Sequence, residues 1–317
     1  MKSIRIGTRG SALALAQAGW ARQMLGERHP EVRVETVIIK TSGDQFLDRP
    51  AAAIGGKGIF VKEIEEALLR NEIDLAVHSL KDLPTELTAG LSVAVVPERE
   101  DSRDVLVSIN QTALRDLPPG AKVGTGSVRR KAQILHYRRD LSIVPIRGNI
   151  DTRLKKLDRG EVDALVMAAA GLKRMAWEQR VSEYIAPEIC LSAVAQGALG
   201  LESRDEDPVI DKIIFLHHLP TATEVLAERA FLRRLGGGCQ VPVGARAWFG
   251  AGEIRMMGIV ADIDGEKLLR GEISGDVENA AALGEELAER LLGQGAEQIL
   301  ISGRPSLEEK ASDHGSR

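Results

Sequence analysis

The stretch AKVGTGSVRRKAQIL, residues 121–135, passes from a short strand-like segment through a turn into an amphipathic segment. Residues 121–124 predict a strand. Val128, Ala132 and Leu135 recur at helical spacing and predict one face of a helix. The stretch therefore predicts a strand that leads directly into a helix, which is the building unit of α/β proteins.

The same strand-to-helix order recurs on both sides of this stretch. Apolar runs alternate with amphipathic segments over the first two thirds of the chain, and the charged residues 98–104 interrupt the alternation once. This order predicts an α/β fold with two doubly wound lobes, each with a mostly parallel sheet and helices on both faces. A further helix is predicted after an N-cap at Ser11, with Leu13, Ala16, Trp20 and Met24 on one face, and others around residues 60–68 and 150–157. The other strands are predicted at residues 4–6, 32–39, 73–77, 91–96, 105–109, 141–146 and 164–168.

From Thr221 onward the pattern changes to that of a smaller α+β unit. Thr221 and Glu224 fit a capping box that opens a helix ending near residue 235. Asp264-Gly265 is a strong hairpin signal between two apolar segments. Strands are predicted at residues 241–249, 253–263 and 267–274, followed by a helix with Leu283, Leu287 and Leu291 on one face and a polar tail.

The composition excludes several classes of protein. Of the 317 residues, 44% are hydrophobic and 28% charged, which is typical of a folded globular chain. The 42 Lys and Arg residues against 46 Asp and Glu give a net charge of −4, and aromatic residues make up only 3%, so nucleic-acid binding is not expected. With no apolar run of about 18 residues and a strand predicted directly after Met1, we expect a cytoplasmic, soluble, multidomain protein without a membrane segment or signal peptide. We also expect it to be a monomer.

Arginines recur at turns that follow predicted strands, where ligands bind in open α/β sheets. Helix N-termini at such turns attract anions, and guanidinium groups suit carboxylates and phosphates. The pattern predicts a polyanionic ligand between the lobes; the competing interpretation is arginines that cap helices and pair with nearby acids. A nucleotide site is disfavoured, because residues 124–126 and 55–58 are glycine-rich but lack phosphate-loop spacing. The arginines are Arg9, Arg129, Arg130, Arg147, Arg153 and Arg174.

Two further segments carry groups with catalytic chemistry. In the segment 78–84, Asp82 is either a general acid or counter-ion, or the start of the turn before a proline. A Schiff-base role for Lys81 is disfavoured, since its neighbours in sequence are not apolar enough to lower its pKa. Cys239 follows three glycines and is either a thiol presented to a cleft or a small buried residue, whereas Cys190 fits the buried interpretation. The six histidines show no spacing typical of metal ligands, so no metal is expected.

Several segments together resemble the porphobilinogen deaminase (hydroxymethylbilane synthase) family. They cover residues 3–300 in the family's order, and Gly236 departs from it, since relatives often carry an acidic residue there. The resemblance implies three domains. The first comprises residues 1–98 and 194–216 and the second residues 99–193, and both are similar to periplasmic anion-binding proteins. The third comprises residues 217–302 and is followed by a tail at residues 303–317. The matching segments are HSLKDLP (78–84), GTGSVRR (124–130), RGN (147–149) with Thr152-Arg153, GGCQVP (237–242), GKGIF (56–60) and AQGA (195–198).

The resemblance also implies a dipyrromethane cofactor held by Cys239 as a thioether. Four porphobilinogens are then joined head to tail with loss of ammonia, and hydroxymethylbilane is released for tetrapyrrole and haem synthesis. Asp82 is the implied catalytic residue, because a carboxylate at the pyrrole N–H stabilises the cation left when ammonia departs. The implied cofactor-binding residues are Cys239, Lys81, Ser79, Thr125, Ser127, Arg129, Arg130, Arg147 and Gly148, and the implied substrate-binding residues are Arg9, Arg153, Arg174, Lys57, Phe60 and Gln196.

Two other functions fit the same residues. A non-enzymatic anion-binding protein would need the same basic cleft but no cofactor on Cys239. A phosphate-substrate transferase would use the glycine-arginine turns to bind a nucleotide or a sugar phosphate.

Overall fold

The computed structural model describes residues 2–42, 61–236 and 241–302, with the backbone alone for Ser302. The predicted strands are confirmed, with ends that agree to within two residues. In chain order the elements are β1 (Ser3–Thr8), α1 (Ala12–Arg28), β2 (Arg33–Ile38), α2 (Lys62–Leu69), β3 (Leu75–Ser79), β4 (Leu91–Val95), β5 (Asp104–Ser108), β6 (Lys122–Gly124), α3 (Val128–Tyr137), β7 (Ser142–Val144), α4 (Ile150–Asp158), β8 (Ala164–Ala168), α5 (Ala169–Arg174), β9 (Glu183–Tyr184), β10 (Leu199–Arg204), α6 (Val209–Ile213), α7 (Leu219–Arg234), β11 (Val243–Gly250), β12 (Glu253–Ala261), β13 (Leu268–Asp276), α8 (Ala280–Gly293) and α9 (Ala296–Ser302).

Two five-stranded sheets have the same topology. The first has the order β2-β1-β3-β10-β4 and the second the order β7-β6-β8-β5-β9. In each sheet the first three strands in this order are parallel, and the last two strand pairs are antiparallel. Four strands of each sheet therefore run in the same direction, as predicted, and one interior strand, β10 or β5, runs against them. The alternation in the sequence does not reveal the direction of these two strands, because they enter the sheets from the connections between the lobes.

Helices cover both faces of each sheet, as predicted. Successive strand residues point to opposite faces, so Leu75 and Val77 of β3 pack with α1, whereas Ala76 packs with α2. In the second sheet Leu106 packs with α3 and Val105 packs with α4. Each lobe therefore has a core on either side of its sheet, and the carboxyl ends of its parallel strands are left for the site.

The connections between the lobes touch at Gly197. Its φ is +90°, and its carbonyl accepts from the backbone N–H of Glu100 at 3.3 Å. A Cβ at this position would lie 2.4 Å from the Glu100 carbonyl oxygen. Only glycine fits there, because both the left-handed conformation and the close approach exclude a side chain.

The third sheet is antiparallel, in the order β11-β12-β13, and α7 and α8 pack against it around Phe231 and Leu287. The predicted hairpin turn is confirmed, with Gly265 at φ +69°. The capping-box prediction is wrong: α7 begins two residues before Thr221, and the side chain of His218 accepts from the Thr221 N–H as N-cap. A proline in the first turn allows this earlier start, since it needs no hydrogen-bond partner for its nitrogen.

The N-cap at Ser11 is confirmed, but the predicted buried face of α1 is displaced. Its most buried residues are Gln17, Ala18, Ala21 and Leu25, whereas the predicted face of Leu13, Ala16, Trp20 and Met24 is half-buried. The prediction followed the larger apolar side chains. In the structure small alanines face the sheet, because they allow the helix to lie close to it.

Candidate active site

A cleft of about 260 Å³ lies between the two α/β lobes. The first lobe lines it from the carboxyl ends of β1 and β3, and the second lobe from the turn before α4 and from α5. This is the edge at which open α/β sheets bind ligands. Of the predicted site residues, the structure brings together Arg9, Ser79, Lys81, Asp82, Arg130, Gly148, Arg153 and Arg174 on the lining.

Asp82 lies in a short 3₁₀ turn that follows β3 and exposes its carboxylate to the cleft. The flanking Leu80 and Leu83 are buried, with exposed fractions of 1% and 5%, in a core shared with the third sheet. Arg229 of α7 donates to the carbonyls of Leu83 at 3.1 Å and Pro84 at 2.5 Å. The third domain therefore fixes the backbone on both sides of the carboxylate.

Lys81 points into the same cleft and donates to Gln196 Oε1 at 3.4 Å. Burial lowers the pKa of Lys81 to about 8; Asp82 and Asp104 oppose this, whereas Arg130 and Arg129 lower it further. The sequence-based premise that nothing lowers this pKa is therefore wrong. Burial in the folded cleft is the largest cause of the lowered pKa, and the two arginines lie about fifty residues away in the chain, so the neighbouring sequence reveals neither effect.

The second lobe contributes cations that lack carboxylate partners. Within the described residues neither Arg153 nor Arg174 is in an ion pair; Arg153 donates to the Gly148 carbonyl at 2.8 Å and Arg174 to the Gly197 carbonyl at 2.6 Å. Burial lowers the pKa of each guanidinium to about 10, and Arg130 and Arg147 lower that of Arg153 further. Both stay charged at neutral pH, so the cleft favours a ligand with several negative charges.

Four residues predicted to bind the cofactor lie off the lining of the cleft. Arg129 is buried, pairs with Asp104 Oδ2 at 2.7 Å and donates to the Leu191 carbonyl at 2.5 Å. Thr125 is buried, and its hydroxyl accepts from the Ser127 N–H at 3.2 Å; Ser127 in turn caps α3. Arg147 is exposed. Arg129, Thr125 and Ser127 therefore shape the turn that carries Arg130, and their direct contact with a cofactor stays a prediction.

Gln196, predicted to bind substrate, is 1% exposed and lies behind Lys81. Its amide nitrogen donates to the Ser102 carbonyl at 2.8 Å and to Asp104 Oδ1 at 2.9 Å. Asp104, which the sequence did not single out, is fully buried, and the Arg129 and Arg130 guanidiniums hold its pKa well below the ordinary value against the effect of burial. The available signal was a carboxylate at the end of the charged stretch 98–104, directly before a run of apolar strand residues.

Three predicted site residues, Lys57, Phe60 and Cys239, lie outside the described residues. Gly236, the departure from the family pattern, has a φ of +62°, which glycine adopts without strain. Cys190 is buried as predicted. Among the described residues no group of three His, Cys, Asp or Glu side chains is placed to hold a metal, and no described helix has the length and hydropathy needed to cross a bilayer.

Two family models match the chain. The model described as "Porphobilinogen deaminase, dipyromethane cofactor binding domain" matches residues 4–212, about two thirds of the chain, and the model of the C-terminal domain of the same enzyme matches residues 222–293. The chain belongs to the porphobilinogen deaminase family. The enzymes of this family are transferases of tetrapyrrole biosynthesis, and dipyrromethane is their cofactor.

Named relatives match over nearly the whole chain. The porphobilinogen deaminase of Pelobacter propionicus is 53% identical over 94% of this chain and 96% of its own length. That of Syntrophotalea carbinolica is 50% identical over 95% of this chain and 96% of its own length. Among solved structures, the methionine-binding protein MetQ aligns with a TM-score of 0.42 and 12% identity, over 68% of this chain and 89% of that one.

The side chains of the cleft fit a dipyrromethane group. Each of its pyrroles carries an acetate and a propionate, so the group presents four carboxylates. The cleft presents the guanidiniums of Arg153 and Arg174, which have no carboxylate partner in the part of the chain that the structure describes, together with Lys81 and Arg130. Charge-assisted hydrogen bonds from such donors are the strongest that a carboxylate can accept.

Proposed function

We propose that this chain carries dipyrromethane on Cys239 and joins four porphobilinogens to it head to tail, with release of four ammonia molecules. Water then cleaves the bond between the new tetrapyrrole and the dipyrromethane, which releases hydroxymethylbilane and leaves the cofactor on Cys239. The observation that carries the proposal is the carboxylate of Asp82 on the lining of a cleft that also presents five cations, in a chain of this family. The other carboxylate on the lining, Asp151, lies in α4 and pairs with Lys155 at 3.8 Å. The two substrate carboxylates on each ring match the cations, and the carboxylate of Asp82 is available for the chemistry.

The cations of the cleft bind and orient the substrate. Arg9 and Lys81 on the first lobe face Arg153 and Arg174 on the second, so the acetate and propionate of one ring are held between the lobes. Holding the reacting carbons in place converts a reaction between separate molecules into one within a complex. Lys57, Phe60 and Gln196 join this set in our proposal, the first two on the family resemblance and Gln196 through its contact with Lys81.

Asp82 stabilises the positive charge that develops on the substrate. When the C–N bond of the aminomethyl arm breaks, ammonia leaves with the electron pair and the pyrrole ring becomes cationic. A carboxylate that accepts from the pyrrole N–H lowers the energy of this cation, and the exposed position of Asp82 in the cleft allows that approach. A C–C bond then forms at the arm, and the attacking α-carbon loses its proton.

The cofactor is assigned to Cys239 and to the residues around Asp82. When bound, it supplies the free α-carbon that receives the first substrate. Ser79, Lys81, Arg130 and Gly148 would hold it directly from the lining of the cleft, and Thr125, Ser127, Arg129 and Arg147 would support it from the turns beside them.

We also propose the domain boundaries given by the family resemblance, and a monomer that works in the cytoplasm. The first domain comprises residues 1–98 and 194–216, the second residues 99–193 and the third residues 217–302. Membership of β10 in the first sheet supports the return of the chain to the first domain.

Intact mass spectrometry of the purified protein tests the proposal. We expect a mass that exceeds the sequence mass by two pyrrole units, with Cys239→Ser at the unmodified mass. Cys190→Ser is the matched control and should keep the two units, because Cys190 is buried against Arg129 and away from the cleft. An unmodified protein that also leaves porphobilinogen unconsumed would refute the assignment.

A further inference from the structure

A buried carboxylate lies behind the cleft and joins elements from both lobes. Asp104, the first residue of β5, accepts from Arg130 through Nε at 2.9 Å and Nη2 at 2.7 Å, and from Arg129 at 2.7 Å. The Cys190 thiol donates to it at 3.3 Å. Asp104 is fully buried, and only Arg130 of its two guanidinium partners reaches the lining of the cleft.

The orientation of the Gln196 amide follows from Asp104. The two partners of the Gln196 nitrogen, Asp104 Oδ1 and the Ser102 carbonyl, are acceptors only. The two partners of its oxygen, Lys81 Nζ at 3.4 Å and Arg130 Nη2 at 3.5 Å, are donors only. If the Gln196 amide were reversed, its nitrogen would face the donors Lys81 and Arg130 and its oxygen would face two acceptors. Asp104 therefore helps to fix the amide orientation in which the Gln196 oxygen accepts from Lys81.

We propose that Asp104 is a positioning residue of the active site, acting directly on Arg130 and through Gln196 on Lys81. It locks the guanidinium of Arg130 in the orientation that reaches the cleft, and it keeps Lys81 oriented and protonated for a pyrrole carboxylate. One carboxylate thereby organises a cation from each lobe, since Lys81 follows β3 and Arg130 lies in α3.

The charges around Lys81 predict the sign of the effect. Asp82 and Asp104 favour its protonated form, whereas burial, Arg130 and Arg129 oppose it. Replacing Asp104 by Asn removes a favourable charge and leaves the two arginines less neutralised. Both changes disfavour the lysine cation, so its pKa falls further.

The test is the rate at which Lys81 of the purified full-length protein is acylated as a function of pH, followed by peptide mass spectrometry. This titrates the amine itself. In Asp104→Asn we expect the midpoint to fall by about one pH unit, and in Gln196→Leu by less, because only the hydrogen-bond acceptor is lost. Cys190→Ala, which removes the thiol neighbour of Asp104 but no charge, should titrate like the wild type.

The alkaline limb of turnover should move with the titration. Asp104→Asn should raise KM more than it lowers kcat, because Lys81 and Arg130 hold carboxylates in the ground state as well. An unchanged Lys81 midpoint in folded Asp104→Asn would overturn the proposal. Should that variant fail to fold, an unchanged midpoint in Gln196→Leu would overturn it equally.

The inference that Lys81 and Arg130 bind a pyrrole carboxylate rests on the proposed function. The titration of the Lys81 amine does not depend on that function. If the wild-type protein lacks the two pyrrole units, the proposed function fails. The shift of the Lys81 midpoint still decides whether Asp104 acts on Lys81.

Discussion

The two α/β lobes have the same sheet topology but place different groups after their equivalent central strands. In the first lobe the central strand β3 is followed by Lys81 and Asp82; in the second the equivalent strand β8 is followed by small residues and then Arg174. These small residues present nothing larger than a methyl group to the cleft, and Gly171 lies so close to Ile150 that a Cβ would be 2.8 Å from the Ile150 Cδ1. The duplicated scaffold therefore positions the site, and the residues after equivalent strands decide what each lobe does.

In the function that we propose, the first lobe supplies Asp82 for the chemical step together with two binding cations, whereas the second lobe supplies groups that bind. The lobes should accordingly differ in the kinetic constant that a substitution changes. Loss of a group that acts only on the developing cation lowers kcat, whereas loss of a group that binds the carboxylates throughout raises KM.

The largest effect is expected for Asp82→Asn. The amide keeps the shape of the side chain but removes the charge that stabilises the cation, so kcat should fall roughly 10²- to 10³-fold, with the cofactor still attached by intact mass. Glu86→Gln, an exposed change in the same loop, is the control and should be near wild type. Near-normal turnover of Asp82→Asn would remove Asp82 from the chemical step.

An intermediate effect is expected for Arg153→Leu in the second lobe. Loss of a charge-assisted hydrogen bond of about 1.5–3 kcal/mol should raise KM roughly 10- to 100-fold, with a smaller change in kcat. Arg159→Leu, an exposed change just after the same helix, is the matched control for lost positive charge. A fall in kcat at constant KM would show that the second lobe also acts in the chemical step.

The smallest effect concerns stability and its dependence on pH. Because folding lowers the Lys81 pKa from 10.5 to about 8, the unfolded chain holds the extra proton between these pH values. Lys81 therefore opposes folding most strongly below pH 8, and the opposition fades as the pH rises toward 10.5.

Lys81→Met should accordingly raise the Tm at pH 7 by about 2–4 °C for each kcal/mol of relieved burial, and by less at pH 10. Thermal unfolding in a Cys239→Ser background, which keeps the cofactor off, measures this. Lys122→Met, at an exposed lysine of the second lobe, should shift the Tm little at either pH. An equal gain at both pH values would assign the effect to packing rather than to charge.

Much of the fold was predictable because it is encoded locally. Alternating apolar runs such as residues 164–168 give strands, and a helical stripe such as Leu283, Leu287 and Leu291 gives a helix. The direction of β5 and β10 was not predictable, since it depends on which neighbours they pair with after long connections. The N-cap of α7 was not predictable either, because histidine is not among the residue types that usually cap a helix.

The site was predictable where residues reach the cleft from a strand end, as Asp82, Arg153 and Arg174 do. It was not predictable where two adjacent arginines have different roles. Arg129 turns inward to Asp104 and Arg130 turns toward the cleft, although both follow the same turn. Helical geometry separates the two side chains by about 100° around the axis, and only the position of a distant carboxylate decides which of them is buried.

The position of β10 constrains the order in which the protein can be assembled during synthesis. All strands of the second sheet lie between residues 104 and 184, whereas the first sheet needs β10 as an interior strand; His78 and Glu202, joined across it, are 124 residues apart in the sequence. On the ribosome the second lobe can therefore complete its sheet before β10 has been synthesised, while the first sheet still lacks that interior strand. A nascent chain arrested before residue 199 would expose the open edges of β3 and β4, which makes this stage the one most vulnerable to aggregation.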